Sequence, residues 1–586
     1  MTTNKKIVQR VFLIMIVITM IVSFNIYISY AVDSAAGALG ACNIVNPSGK
    51  SYQYVYFGDT GLTSVNTSDL TTYQIAGPIQ FRVLSTTANG TLRASVGGST
   101  CSNAALFMMS EYGLCKHVWD SNGGQTWGNS SIRTWLNGTS SSNVLGDCFT
   151  EAEQKAIAYT TTSESSMGLP WYYYGTSNIN YCYYNDGKYW WVAGRYNSDM
   201  STSVSRLSND KLFLLSAEEV TNAGYGFDFT KNYPNGTGYA YKFAGNCICR
   251  LGNSGGNTSR WWLRSAGSKN GSDCVAFVSD GSYGDSSRNS SAVRFALNVH
   301  LSSIIYASNA STTGASASTF KAIDSIARTS ATPASTSGYK LTIQDTSRPA
   351  FSVSPSSITA TPGSKIAVHY TNAKTGSNEY ICGIIKNSDN SECYHGRFAP
   401  YGSSSTNITS ASGDIIMDLP SLTTGTYKLI MYNETNAGAY KTNEGRCANE
   451  ITLKIQSSPP AGSGPTISNV YKKGDGSYYR FTATDSTGIL MATSSDGNSV
   501  FRAINGPSGT YNVPTPSGTT EFRVYNFAGK YTVVNETNNT IMTDSRAPVI
   551  NSVRYSEGKY IIDVTDSDSG IWKITDSQGN IIADYS

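Results

Sequence analysis

Along most of this chain the apolar positions recur at period two, in short runs cut by Gly, Asn and Ser. In "PIQFRVL", Ile79, Phe81 and Val83 alternate with Gln80 and Arg82, which predicts a strand buried on one face. "KIAVHY", "YKLIMY" and "ITLKI" repeat that alternation between turn residues, the pattern of a small two-sheet sandwich. Helical spacing is rarer. "SSIRTWLNG" places Ile132, Trp135 and Leu136 on one side of a short helix that starts at a serine cap and ends at Gly138. "DKLFLLSAEEV" predicts an apolar strand and then a capping box, Ser216 with Glu219, opening a brief helix. One run differs: behind Lys5, Lys6 and Arg10, apolar residues continue from Val11 to Phe24 and, interrupted by Asn25 and Ser29, to Tyr30. Residues 1–31 therefore read as a signal peptide or N-terminal membrane anchor. Ser29 and Ala31 suit cleavage, and a run of roughly 20 residues suits a retained span. The positive-inside rule keeps the lysines cytoplasmic and everything after Val32 outside.

A chain of 586 residues exceeds one core, so several domains are expected. Residues 50–306 are dense in aromatics and short strands. The Ser/Thr/Ala-rich stretch 307–343 loses apolar periodicity and reads as a linker. A sandwich is expected over 344–456. After "SSPPAGSGP" comes an internal repeat: "PTISNVYKKGDGSYYRFTATDSTGI" returns as "PVINSVRYSEGKYIIDVTDSDSGI", giving one module at 464–545 and a partial one at 546–586.

Composition narrows the class. Charged residues are only 14% while Gly reaches 55 and Tyr 39, which suits β-rich extracellular modules better than a cytosolic helical enzyme. A net charge of +3 without a Lys/Arg stripe argues against a nucleic-acid partner. Eleven cysteines in an exported chain predict structural disulfides, although the odd total leaves one over and the pairing is open. No metal is expected: paired Cys/His sets of zinc spacing are missing, and Asp563, Asp566 and Asp568 lack the calcium-loop pattern and read as a solvated turn. No cofactor is expected either, since no Gly-rich phosphate loop precedes a Lys-Ser/Thr pair. "GNSGG" at 252–256 imitates a serine-protease nucleophile loop without the histidine context that would make Ser254 reactive.

Four stretches, "GPIQFRVLST", "WGNSSIRTWLNG", "DKLFLLSAEEV" and "WWLRSAG" closing with "AVRFAL", carry a resemblance. They resemble an uncharacterised domain of bacterial surface proteins whose hallmark is Trp-Trp-Leu-Arg-Ser, a Gly-rich hairpin and a terminal strand. The ending looks like the C-type-lectin-like fold of the variable proteins of diversity-generating retroelements, and more distantly like formylglycine-generating enzymes. Ala266 and Phe295 depart from it, since proline is usual at both. The resemblance implies a multidomain chain: an α+β C-type-lectin-like domain at 50–306, then all-β immunoglobulin-like sandwiches. The formylglycine enzymes' Cys pattern is missing around Cys274, and the calcium-binding triplets of true C-type lectins are absent.

Trp261, Trp262, Arg264 and Arg294 are then frame residues, with Trp135 packing the helix. The arginines are read as buried ion-pair or backbone-bonding groups. Between the frame strands, Ser268–Ser291 offers small polar groups and Tyr, the residues of recognition loops. Candidate binding residues there are Asn270, Asp273, Tyr283, Asp285, Arg288 and Asn289; a solvated turn is the alternative. A second surface, "PWYYYGTSNINYCYYNDGKYWWVAGRY", offers Tyr172, Tyr173, Tyr174, Tyr184, Trp190 and Trp191 as stacking anchors, the alternative being a hairpin that covers the core. No catalytic residue is singled out. The expected function is non-enzymatic recognition or adhesion at the cell surface, or in secreted form, toward a host or neighbouring-cell surface protein or glycan. Membrane contact is expected only through the N-terminal segment. A structural cell-envelope protein and an extracellular hydrolase are the rival readings.

Overall fold

The computed structural model describes most of residues 39–162, 206–232, 240–266, 274–278, 285–312, 317–330 and 337–586, with the backbone of Tyr183–Asn185 and Lys188–Trp190. The expected targeting segment lies outside the described residues, and among those described no helix is long and apolar enough to cross a membrane. The chain is multidomain and β-rich, 50% strand and 7% helix. Two compact units divide it. One gathers the described residues up to Gly314 with Ile323–Asp345 and Asn436–Gly445; the other gathers Ala315–Ala322, Thr346–Thr435 and Arg446–Ser586.

In the first unit a sheet runs in the order Leu212–Phe213, Ala296–His300, Ala104–Ser110, Pro78–Thr87, Tyr54–Asp59, Tyr339–Gln344. All neighbours are antiparallel except Tyr339–Gln344, which lies parallel to Tyr54–Asp59. Pro78–Thr87 departs from its expected half-burial: Gln80 and Arg82 are as enclosed as Ile79, Phe81 and Val83. Alternation separates two faces of a strand but does not make the second one wet; here Arg82 stays inside because Glu111 neutralises it.

The stretch 307–343 is not the structureless linker its composition suggests. It holds the second half of Ile304–Asn309, which pairs with Tyr339–Gln344, and it holds Ala317–Ala322, which belongs to the second unit. Tyr339, Leu341 and Ile343 are fully buried, so three apolar residues at period two outweigh the polar sequence before them.

Two short helical elements form where the local spacing predicts. Ser131–Asn137 is capped by Ser130, whose Oγ accepts from Arg133 N at 3.3 Å, and it buries Ile132 and Leu136. Glu219 N donates to Ser216 Oγ at 3.2 Å and Ser216 N donates to Glu219 Oε2 at 2.7 Å, closing the capping box before Glu219–Thr221.

In the second unit, one sandwich core joins Ile366, Val368, Tyr370, Ile415 and Met417 of one sheet to Ile381, Ile385, Leu429, Met431 and Leu453 of the other. A second sandwich packs Val470, Tyr479, Phe481 and Val513 against Ile489, Ala492, Phe522, Val524 and Val534. The repeated segment beyond it forms two hairpins, Val549–Ser556 with Lys559–Thr565 and Lys573–Thr575 with Ile581–Asp584.

His395, on the strand Cys393–Phe398, is held neutral: burial pushes its imidazole down to about 4, and its Nε2 lies 2.9 Å from the Tyr432 hydroxyl. The unfolded chain takes up a proton near the ordinary value of 6.5, before the folded chain does. Stability is therefore expected to fall as pH drops from about 6.5 toward 4, by on the order of 2 kcal/mol. Urea unfolding across that window, compared with His395→Gln, reads the effect; an identical slope in the variant would assign it to other groups.

The expected disulfides are not seen: no bridge forms among the described cysteines, and Cys101, Cys115, Cys148 and Cys382 are free thiols. Cysteine count and compartment carry no information about which sulfurs meet. Burial pushes the Cys115 and Cys148 thiols up to about 12 and raises Cys382 as well, so little thiolate exists at neutral pH. Iodoacetamide is expected to leave these three unmodified in the native chain and to alkylate them in guanidinium, as read by peptide mass spectrometry.

Candidate functional site

A second sheet of the first unit carries the segment singled out for recognition. Its order is Asp285–Ser286, Cys274–Val278, Trp261–Ala266, Ser290–Ala292, Lys116–Val118. Trp261 stands opposite both Val278 and Ala292, and Trp262 opposite Phe277. Both indoles are fully buried. Each still needs an acceptor for its ring N–H or a partner for its face. Trp262 Nε1 donates to His117 O at 2.8 Å, and the Arg294 guanidinium lies 5.2 Å over the Trp261 ring. Just past the strand Lys116–Val118, Trp119 Nε1 donates to Leu263 O at 3.2 Å. His117 stacks on Trp135, centroids 4.2 Å apart and rings 15° from parallel.

Two buried ion-pair systems lie in the core that supports this sheet. Glu111 accepts from Arg82 Nε at 2.6 Å and from Arg82 Nη2 at 2.7 Å, and Arg294 Nη2 approaches it at 3.8 Å. Arg294 Nε also donates to Ser110 O at 3.0 Å. Arg264 Nη1 donates to Glu219 Oε2 at 2.5 Å and to Leu214 O at 2.7 Å, tying the Trp261–Ala266 strand to the capping box. Glu219 thus serves twice, as cap and as counter-charge. A third carboxylate, Asp210, accepts from Arg133 Nε at 2.5 Å and Trp127 Nε1 at 3.2 Å, although burial raises its pKa. These carboxylates are committed to arginines and to backbone or indole N–H groups. The arrangement ties the strands of the frame to one another.

Arg264, Arg294, Trp261 and Trp262 therefore occupy the interior of one frame, with Trp135 half-buried at its edge. Their counter-charges Glu111 and Glu219 escaped the sequence reading as site residues. The Ser-x-x-Glu spacing located Glu219 as a cap, whereas nothing local marks Glu111, which is 29 residues from Arg82. Tyr184 and Trp190 lie on the paired strands Tyr183–Asn185 and Lys188–Trp190, and Asp285 on the strand paired with Cys274–Val278. Tyr172, Tyr173, Tyr174, Trp191, Asn270, Asp273, Tyr283, Arg288 and Asn289 lie outside the described residues. Among the described residues no group of three or more His, Cys, Asp or Glu is placed to hold a metal ion.

The chain carries a domain of unknown function: residues 103–301 match the family described as DUF6273. That span contains the whole Trp261-to-Arg294 frame and its two glutamates. No curated protein matches the chain. Among solved structures, a marsupial T cell receptor aligns over 32% of this chain and 100% of its own, at 10% identity and a TM-score of 0.14, too low to carry an argument.

Proposed function

We propose that this is an exported bacterial surface protein whose domain at 103–301 is a non-enzymatic recognition or adhesion module with a C-type-lectin-like fold, displayed on immunoglobulin-like sandwiches. The observation that carries the reading is the division of labour in one sheet. Trp261, Trp262, Arg264 and Arg294 are withdrawn into the core, and the strands they anchor bracket a Ser-, Gly- and Asn-rich segment. A stiff frame with adaptable polar loops lowers the ordering cost of binding. The test is a binding screen of the full secreted chain on glycan and extracellular-matrix arrays, beside a folded variant with Tyr172, Tyr173, Tyr174, Trp190 and Trp191 changed to Ala. Saturable binding lost in that variant supports adhesion through the aromatic segment. Binding that survives it moves the site to Ser268–Ser291. Absence of binding on every array favours a structural envelope role.

A further inference from the structure

The second unit contains a cleft of about 560 Å³, within the size range of small-molecule sites. One wall is Thr359–Ile366 with Asp418, a second is the connecting Pro459–Pro460, and a third comes from Leu490, Met491, the Asp496–Asn498 turn, Arg523, Tyr525 and Tyr531. We infer that this cleft binds a short neutral saccharide, a site independent of the domain at 103–301.

The walls hold a fixed geometry. Thr359 N donates to Phe527 O at 3.2 Å, and Gly529 comes so near that an added Cβ would stand 2.4 Å from Thr359 O. Ala367, Leu490, Met491 and Ala503 form a buried apolar cluster joining the two sandwiches, and Tyr401 Oη donates to Phe501 O at 2.7 Å. A cleft between modules locked in this way is preorganised.

Its chemistry is mixed and balanced. Lys365 pairs with Asp418, and Arg523 sits near Asp496, so two cations face two carboxylates and no net field selects an ion. Sugar hydroxyls, each both donor and acceptor, match such a lining: they accept from Lys365, Arg523 and Asn498 and donate to Asp418 and Asp496. Tyr525 and Tyr531, with centroids 5.1 Å apart, supply the ring surface against which the C–H face of a pyranose packs. Arg523 lies 4.6 Å over Tyr531 and lines the cleft, where its guanidinium offers donors to a ligand oxygen. The apolar lining residues Ile366, Leu490 and Met491 are already buried in the floor, which leaves no hole for a peptide's apolar side chain.

The test uses the full chain, titrated by calorimetry with linear oligosaccharides of two to four neutral hexose or N-acetylhexosamine units, and separately with a mixed peptide library. Arg523→Ala removes a cationic donor of the lining, and Thr361→Trp fills the cleft while leaving every polar group named above in place. Saturable saccharide binding weakened by about tenfold or more in both variants, at unchanged unfolding midpoints, is the expected result. If Arg523→Ala lowers the midpoint, Thr361→Trp decides alone. Binding that both variants retain, no saccharide binding at all, or peptide binding lost in both variants would each overturn the inference. Binding lost instead in the Tyr172–Trp191 variant belongs to the domain at 103–301 and likewise counts against the cleft.

Discussion

Glu111→Ala is expected to destabilise the first unit by about 3–5 kcal/mol, the range for breaking a buried ion pair by removing one partner. Glu111 is 6% exposed and is the counter-charge of Arg82, itself 1% exposed and bound through two nitrogens. Without it Arg82 keeps its charge, and Arg294, fully buried, loses the carboxylate at 3.8 Å. The measurement is urea unfolding followed by tryptophan fluorescence, which reports mainly this unit because every tryptophan except Trp572 precedes Leu263. The double variant Glu111→Leu with Arg82→Met removes both charges of the main pair and is expected to recover much of the loss. A single variant as stable as the parent would show that water reaches Arg82 and that the frame is not sealed.

Trp261→Ala carries the second large effect, about 3–5 kcal/mol for emptying a fully buried indole site. Two strands lose a partner at once, since Trp261 lies opposite Val278 on one side and Ala292 on the other. The Arg294 guanidinium also loses the ring beneath it. Trp261→Phe restores an aromatic face in less volume and is expected to cost clearly less than the alanine variant in the same urea titration. Equal losses in both would mean that indole volume matters and the cation–ring contact does not. On the proposed function, either severe variant would also abolish array binding, because the loops would lose the strands that hold them apart.

Several elements were legible before any coordinates. The helix Ser131–Asn137, its Ser130 cap and its end at Gly138 follow from spacing and capping chemistry, which act within a few residues. The Ser216–Glu219 box is equally local. The multidomain β-rich class follows from period-two runs punctuated by turn residues. The sequence also marked Trp261, Trp262, Arg264 and Arg294 as frame residues, through the Trp-Trp-Leu-Arg-Ser resemblance and the expectation that these arginines pair with a carboxylate or bond to backbone. It failed where the deciding partner is distant: Glu111 beside Arg82, the burial of Tyr339–Gln344 behind a polar stretch, and the expectation of disulfides, where Cys115, Cys148 and Cys382 stand as free thiols.

By itself, then, the sequence determined what depends on neighbours along the chain: strand and helix positions, caps, the repeat after Pro465, and the polar character of the loops. Only the tertiary structure decided which charges neutralise one another, which strand has two dry faces, and that Arg523, Tyr525 and Tyr531 share a cleft with Lys365 and Asp418. The physical reason is range. Hydrogen bonds in caps and turns, and side-chain alternation, are short-range properties of the backbone, whereas burial and ion pairing depend on groups brought together from far apart in the chain.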